Sequence, residues 1–177
     1  MRGWIWIAFV LVLATGEAAA IDPPWAAQGA QPPGSEAEAR ALVARFLDPA
    51  ADRAALSAAL RPSSADYRAV YKEPLAGRLE AKLAPIWDQG GATIGPKSGQ
   101  TEMRIVYATT DRLIAGDPVL KELPGGYERV RSQLNPGFPI VAFKFTAPGE
   151  SAGMAFNGLV HVGGRWVLIP SPWRALE

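Results

Sequence analysis

The chain has 177 residues, no cysteine, one histidine and a formal net charge of +1 from 18 basic and 17 acidic side chains. Without cysteine there is no disulfide, no thiolate metal site and no acylated-cysteine anchor, and one histidine argues against zinc. The charges are scattered along the chain, unlike the clustered Lys and Arg of a nucleic-acid surface.

The amino terminus, MRGWIWIAFVLVLATGEAAA, has the three parts of a secretory signal: Arg2, an apolar run from Trp4 to Ala14, and small residues ending in Ala18-Ala19-Ala20. The run is shorter than the ~20 residues of a membrane-spanning helix. The expected organisation is a signal peptide over 1–20, a Pro/Gly-rich flexible tether over 21–34 and one domain over 35–177. The expected location is periplasmic or secreted, with no stable membrane span after cleavage.

The domain begins with helices. Ser35 and Glu38 have capping-box spacing, which predicts a helix over about 36–47 burying Leu42, Val43 and Phe46. Asp48-Pro49 is a second start signal, because proline lacks only an N–H that would be unpaired in the first turn. That helix should end near Leu60, before Pro62. Ser63 or Ser64 caps a third, containing Tyr67, Val70 and Tyr71. Pro74 opens a fourth, with Leu75, Leu79, Leu83 and Ile86 or Trp87 at helical spacing and Pro85 as a kink or early end.

Beyond Gly90 the periodicity changes. TEMRIVYATT places Met103, Ile105 and Tyr107 on one side of a strand. A turn-rich stretch follows, with one short helical turn near 127–134. FPIVAFKFTAP is a second strand, carrying Val141, Phe143 and Phe145 on one side. GMAFNGLVHV and RWVLIP flank Gly163-Gly164, a hairpin signal because primed turns need positive φ. Taking the two glycines as the loop pairs Val162 with Arg165, His161 with Trp166, Val160 with Val167 and Leu159 with Leu168. One face then carries Phe156, Val160, Val162, Val167 and Ile169. The other carries Asn157, Leu159, His161, Trp166 and Leu168. The fold class expected is α+β, with amino-terminal helices packed on one face of an antiparallel sheet.

The second face mixes apolar bulk with polar tips. A neutral imidazole, an amide and an indole N–H among apolar walls is how small-molecule sites are composed. His161, Trp166 and Asn157, with Tyr107 if its strand packs on that side, are therefore the candidate ligand-binding residues. Gly149-Glu150-Ser151-Ala152-Gly153 matches the G-x-S-x-G nucleophile elbow, but the elbow needs a helix after the serine and an acid between serine and histidine. The segment after Ser151 reads as a strand, and no carboxylate lies between Ser151 and His161. The glycines read better as turn residues. No P-loop, dinucleotide-binding loop or calcium loop is present, so neither cofactor nor metal is expected.

Helices followed by an antiparallel sheet that ends in GLVHVGGRWVLIP resemble the nuclear transport factor 2-like (SnoaL-like) superfamily, whose members often close on a strand, a tight turn and a G-x-W strand. The resemblance implies the cone fold. It also implies either a catalytically silent binding domain or an isomerase, dehydratase or cyclase with an Asp and a His or Tyr in a concave pocket, His161 being the histidine. The function expected is a non-enzymatic exported domain that binds a small apolar ligand or a protein partner in the bacterial envelope. The alternative is a small acid–base enzyme using His161 with a carboxylate yet to be located.

Overall fold

A computed structural model describes residues 32–91 and 93–176. The expected signal peptide and residues 21–31 of the expected tether lie outside the described residues. Helices precede a four-stranded antiparallel sheet, so the α+β class holds. Among the described residues no helix is long and apolar enough to cross a membrane.

Helix α1 spans Glu36–Ala44, where the capping signal put it, with Ser35 Oγ accepting from the Glu38 N–H at 3.2 Å. It tightens into a 3-10 turn over Arg45–Leu47, so that Val43 and Phe46 are buried. Helix α2, Arg53–Ala58, starts later than Asp48-Pro49 suggests. Asp52 is its cap, accepting from the Ala55 N–H at 2.9 Å. Asp48 instead accepts from the Ala50 N–H at 2.8 Å, the side-chain-to-backbone bond with which Asp closes a turn.

Helix α3, Ser64–Val70, has a complete capping box between Ser63 and Asp66. The Asp66 carboxylate also accepts from Arg165 at 2.6 Å, which ties the start of α3 to the far hairpin. Helix α4, Leu75–Asp88, buries Leu75, Leu79, Leu83 and Trp87 and leaves Ile86 exposed. Pro85 does not end it. The proline removes one hydrogen bond near the carboxy-terminal end, and the buried Trp87 in the following turn holds the helix in register.

The strands are β1 (Glu102–Thr109), β2 (Pro139–Thr146), β3 (Gly153–Val162) and β4 (Arg165–Leu168), hydrogen-bonded in chain order. Between β1 and β2 the turn-rich stretch holds helices α5 (Thr110–Ile114) and α6 (Gly126–Val130) and two 3-10 turns, more helix than the sequence suggested. The β3–β4 hairpin has the expected register: Leu159–Leu168, Val160–Val167, His161–Trp166 and Val162–Arg165.

Further back along β3 the register shifts. Val141 pairs with Leu159 but Phe143 pairs with Phe156, so Asn157 and Gly158 together lie opposite Ala142. This is a β-bulge with glycine at positive φ, +80° at Gly158. The bulge reverses the alternation below it. Phe156 therefore shares a face with His161 rather than with Val160, and Asn157 drops out of the His161 row. Phe156 stacks on Phe143 with ring centroids 5.2 Å apart.

Each face of the sheet carries buried side chains. Ile140, Val160 and Val167 are fully covered on one, and Val141, Phe145 and Leu159 almost fully on the other. The outer edge of β4 is covered as well: the Leu168 N–H donates to the Leu60 carbonyl at 2.8 Å, satisfying a group that an open edge would leave free. After β4, Ser171 turns the chain at φ +50°, and Asn157 Oδ1 accepts from the Ser171 N–H at 2.8 Å. The chain end then forms a 3-10 turn, Pro172–Ala175. Trp173 meets Tyr127 of α6 edge-on at 5.3 Å and lies so close to Gly126 that a methyl group there would come within 2.0 Å of its ring.

Candidate functional site

The structure brings three of the four candidate residues together. Tyr107 on β1, His161 on β3 and Trp166 on β4 share one face, because Tyr107 pairs with Val141, Val141 with Leu159, and His161 with Trp166. The His161 and Trp166 rings meet edge-on with centroids 5.2 Å apart. Asn157 is the exception; the bulge takes it out of the row, and its side chain holds the turn at Ser171.

A fourth side chain completes the cluster, and it comes from α1. Glu38 Oε2 accepts from Trp166 Nε1 at 2.9 Å and from the Gly34 N–H at 2.6 Å. The same oxygen lies 4.0 Å from His161 Nε2, beyond hydrogen-bond reach, and that nitrogen is buried without a hydrogen-bond partner among the described residues. Glu38 was legible in the sequence only as a capping residue. Its reach to Trp166 joins residues 128 positions apart, and local spacing carries no signal for such a contact.

The chain itself covers this cluster. The Tyr107 hydroxyl donates to the Gly34 carbonyl at 2.9 Å. Burial, and secondarily the charge of Glu36, pushes the Tyr107 hydroxyl above its ordinary pKa. Gly34 sits at φ +73°, and a methyl group on it would come within 2.9 Å of His161 Nδ1. Gly34, expected as the last residue of the tether, is thus docked on the sheet, while Pro32 and Pro33 are exposed. The imidazole, indole, phenol and carboxylate act together as a latch holding the chain where it enters α1.

The latch predicts a measurable cost. Glu38→Ala leaves the nearly buried Trp166 N–H without its acceptor, worth about 1–3 kcal/mol of stability. Glu38→Gln keeps an amide oxygen and should lose less than half as much. Urea denaturation of the two variants checks this, and equal losses would mean that Glu38 Oε2 is not what holds Trp166.

Acid–base chemistry at His161 needs an accessible ring nitrogen and a substrate beside it. Here the ring is packed by Gly34 and Trp166, and its Nε2 is buried. The G-x-S-x-G match is a turn between β2 and β3: Ser151 is exposed, its carbonyl accepts from Lys144 Nζ at 2.8 Å, and a strand follows instead of the helix an elbow requires. Among the described residues no three His, Asp or Glu side chains group so as to hold a metal ion.

The open concavity lies on the opposite face of the sheet. A cleft of about 340 Å³ has Val106, Ala142 and Ala155 along the strands and Leu123 and Pro124 as a wall from the loop before α6. Leu123, Ala142 and Phe143 in its lining are buried. Arg104, Lys144 and Glu122 supply its charges. The sequence reading missed this cleft because its wall comes from a stretch with no periodic pattern. No protein family, curated protein or solved structure matches the chain.

Proposed function

We propose that the protein is a non-enzymatic, exported domain of the bacterial envelope that binds a small apolar ligand, and that the ligand occupies the cleft beside Leu123 and Ala142. The order of helices before an antiparallel sheet closing on the Gly164-Arg165-Trp166 strand is in keeping with a silent binding member of the nuclear transport factor 2-like superfamily. The observation that carries the binding reading is the cleft itself. Its volume of about 340 Å³ falls within the ordinary span of small-molecule sites, roughly 300–1,000 Å³, and its walls are mainly apolar. A larger groove of about 530 Å³ runs along α2, but none of its lining residues, Leu56 and Arg45 among them, is buried. Such a groove offers a ligand little removal from water.

The test is a titration of the purified protein with N-phenyl-1-naphthylamine, an uncharged probe that fluoresces when removed from water. Saturable binding of one probe per chain is expected. Ala155→Trp, an exposed position whose larger side chain fills the cleft, should weaken binding at least tenfold, while His161→Ala should leave it within twofold. Non-saturable binding, or binding that Ala155→Trp leaves intact, would sink the reading. Export is tested separately: mass spectrometry of protein recovered from the envelope should find a chain beginning near Ile21, and a full-length cytoplasmic chain would contradict it.

A further inference from the structure

The cleft is not evenly apolar, and its charges are placed oddly for a surface that faces only water. Arg104 of β1 and Lys144 of β2 are directly paired across the two strands, two cations opposite one another on the face that lines the cleft. Like charges in direct cross-strand pairs repel and destabilise the sheet. Lys144 Nζ donates to the Ser151 carbonyl at 2.8 Å, which leaves donors on the ammonium unused. The Arg104 side chain is exposed and makes no hydrogen bond or ion pair to the described residues. Glu122, on the loop wall, is the single carboxylate of the lining.

The apolar surface lies immediately beside these cations. Ala155 pairs with Lys144 from the other side, and Val106 pairs with Ala142 one step along the same face. Leu123 and Pro124 close the wall above. A cation pair at one end of an apolar trough matches a ligand with a single anionic head and an aliphatic body. The head would relieve the Arg104–Lys144 repulsion, and the body would be removed from water against Val106, Ala142 and Leu123. Resting on the binding function proposed above, we infer that the ligand is a free, single-chain anionic amphiphile, such as a medium-chain carboxylate. Arg104 and Lys144 set the preference for the anion. Guanidinium suits this role because its planar fork takes a carboxylate through two parallel hydrogen bonds.

The experiment is displacement of N-phenyl-1-naphthylamine by three ligands of equal chain length: decanoate, decanol and decyltrimethylammonium. Decanoate should displace the probe at a concentration at least tenfold below that of decanol, and the cation should be the weakest. Raising the salt should weaken decanoate and leave decanol unchanged, because exposed charges are screened. The double variant Arg104→Gln/Lys144→Gln should bring decanoate down to the level of decanol, each displacement being scaled to the probe affinity measured for that variant. Equal displacement by decanoate and decanol, or better displacement by the cation, overturns the anionic inference while the binding reading stands. If the probe binds but none of the three chains displaces it, the amphiphile inference fails alone. Absence of probe binding removes both. Co-flotation of the protein with phosphatidylglycerol vesicles, at concentrations where decanoate fails to compete, would identify a membrane surface in place of a free amphiphile and so overturn this assignment.

Discussion

Gly158→Ala is expected to destabilise the protein by more than about 3 kcal/mol, at the damaging end of single substitutions. Two costs act together. The residue sits at φ +80°, where an L side chain costs roughly 1–2 kcal/mol. The added methyl would also lie 2.0 Å from the Ile169 carbonyl oxygen, a backbone atom that cannot rotate away. Ile169 is itself held by a hydrogen bond from its N–H to the Gly158 carbonyl at 2.8 Å. Relief would require the bulge to open, and opening it would return Phe156 to the other face and break its stack on Phe143. A fall in melting temperature of roughly 6–12 °C should follow for a chain of this size. Gly164→Ala provides the comparison: that glycine also has positive φ, but a methyl group there meets nothing within 4 Å. Its loss should be limited to the backbone cost. Equal losses for the two variants would mean that the contact with Ile169 contributes nothing.

The second large effect is alkaline instability. Tyr67, Tyr71 and Tyr127 are all buried, and burial pushes each hydroxyl up, Tyr67 to about 12 and the other two well above their usual value. At Tyr67 the charge of Glu80 adds to the effect, and at Tyr71 the neighbouring tyrosines do. An unfolded tyrosine ionises near pH 10. Between that value and the folded pKa the native state holds more protons than the unfolded state, so stability falls as pH rises. The tyrosine contribution is therefore fully present below about pH 10 and is lost above it. Urea midpoints should be flat from neutral pH to about 9 and drop steeply beyond 10. Tyr71→Phe removes one of the ionising groups and should make the drop shallower. At neutral pH the same variant should be no less stable, because the Tyr71 hydroxyl has no hydrogen-bond partner among the described residues. An unchanged alkaline slope in Tyr71→Phe would show that ionisation of this tyrosine does not drive the loss.

How far the fold can be read from sequence differs from element to element. Ser35, Ser63 and Gly163-Gly164 act within a few residues of themselves, through capping bonds and a primed turn, and each produced the element expected of it. The hairpin register followed from the turn alone, and with it the meeting of His161 and Trp166. Asp48 and Asp52 carry the same local signal, and the bonds each finally makes separate a turn from a helix cap. Pro85 reads as a kink or an early end, yet α4 runs past it to Asp88, with Trp87 buried.

The candidate site divides along the same line. Tyr107, His161 and Trp166 were placed in one row by alternation and pairing, which depend only on the period of two along a strand. Asn157 was misplaced because one extra residue in β3 reverses that alternation. Gly158, which permits the bulge, is spelled no differently from any other strand glycine. Glu38 and Gly34 belong to the row only because α1 packs across it, and the cleft before α6 exists only because an unpatterned loop folds back over β1 and β2. Sequence by itself determined the local states: caps, turns, strand alternation and the class of the fold. The tertiary structure decided which buried polar groups meet and which face stays open, because those contacts are made between segments whose separation along the chain leaves no mark in either one.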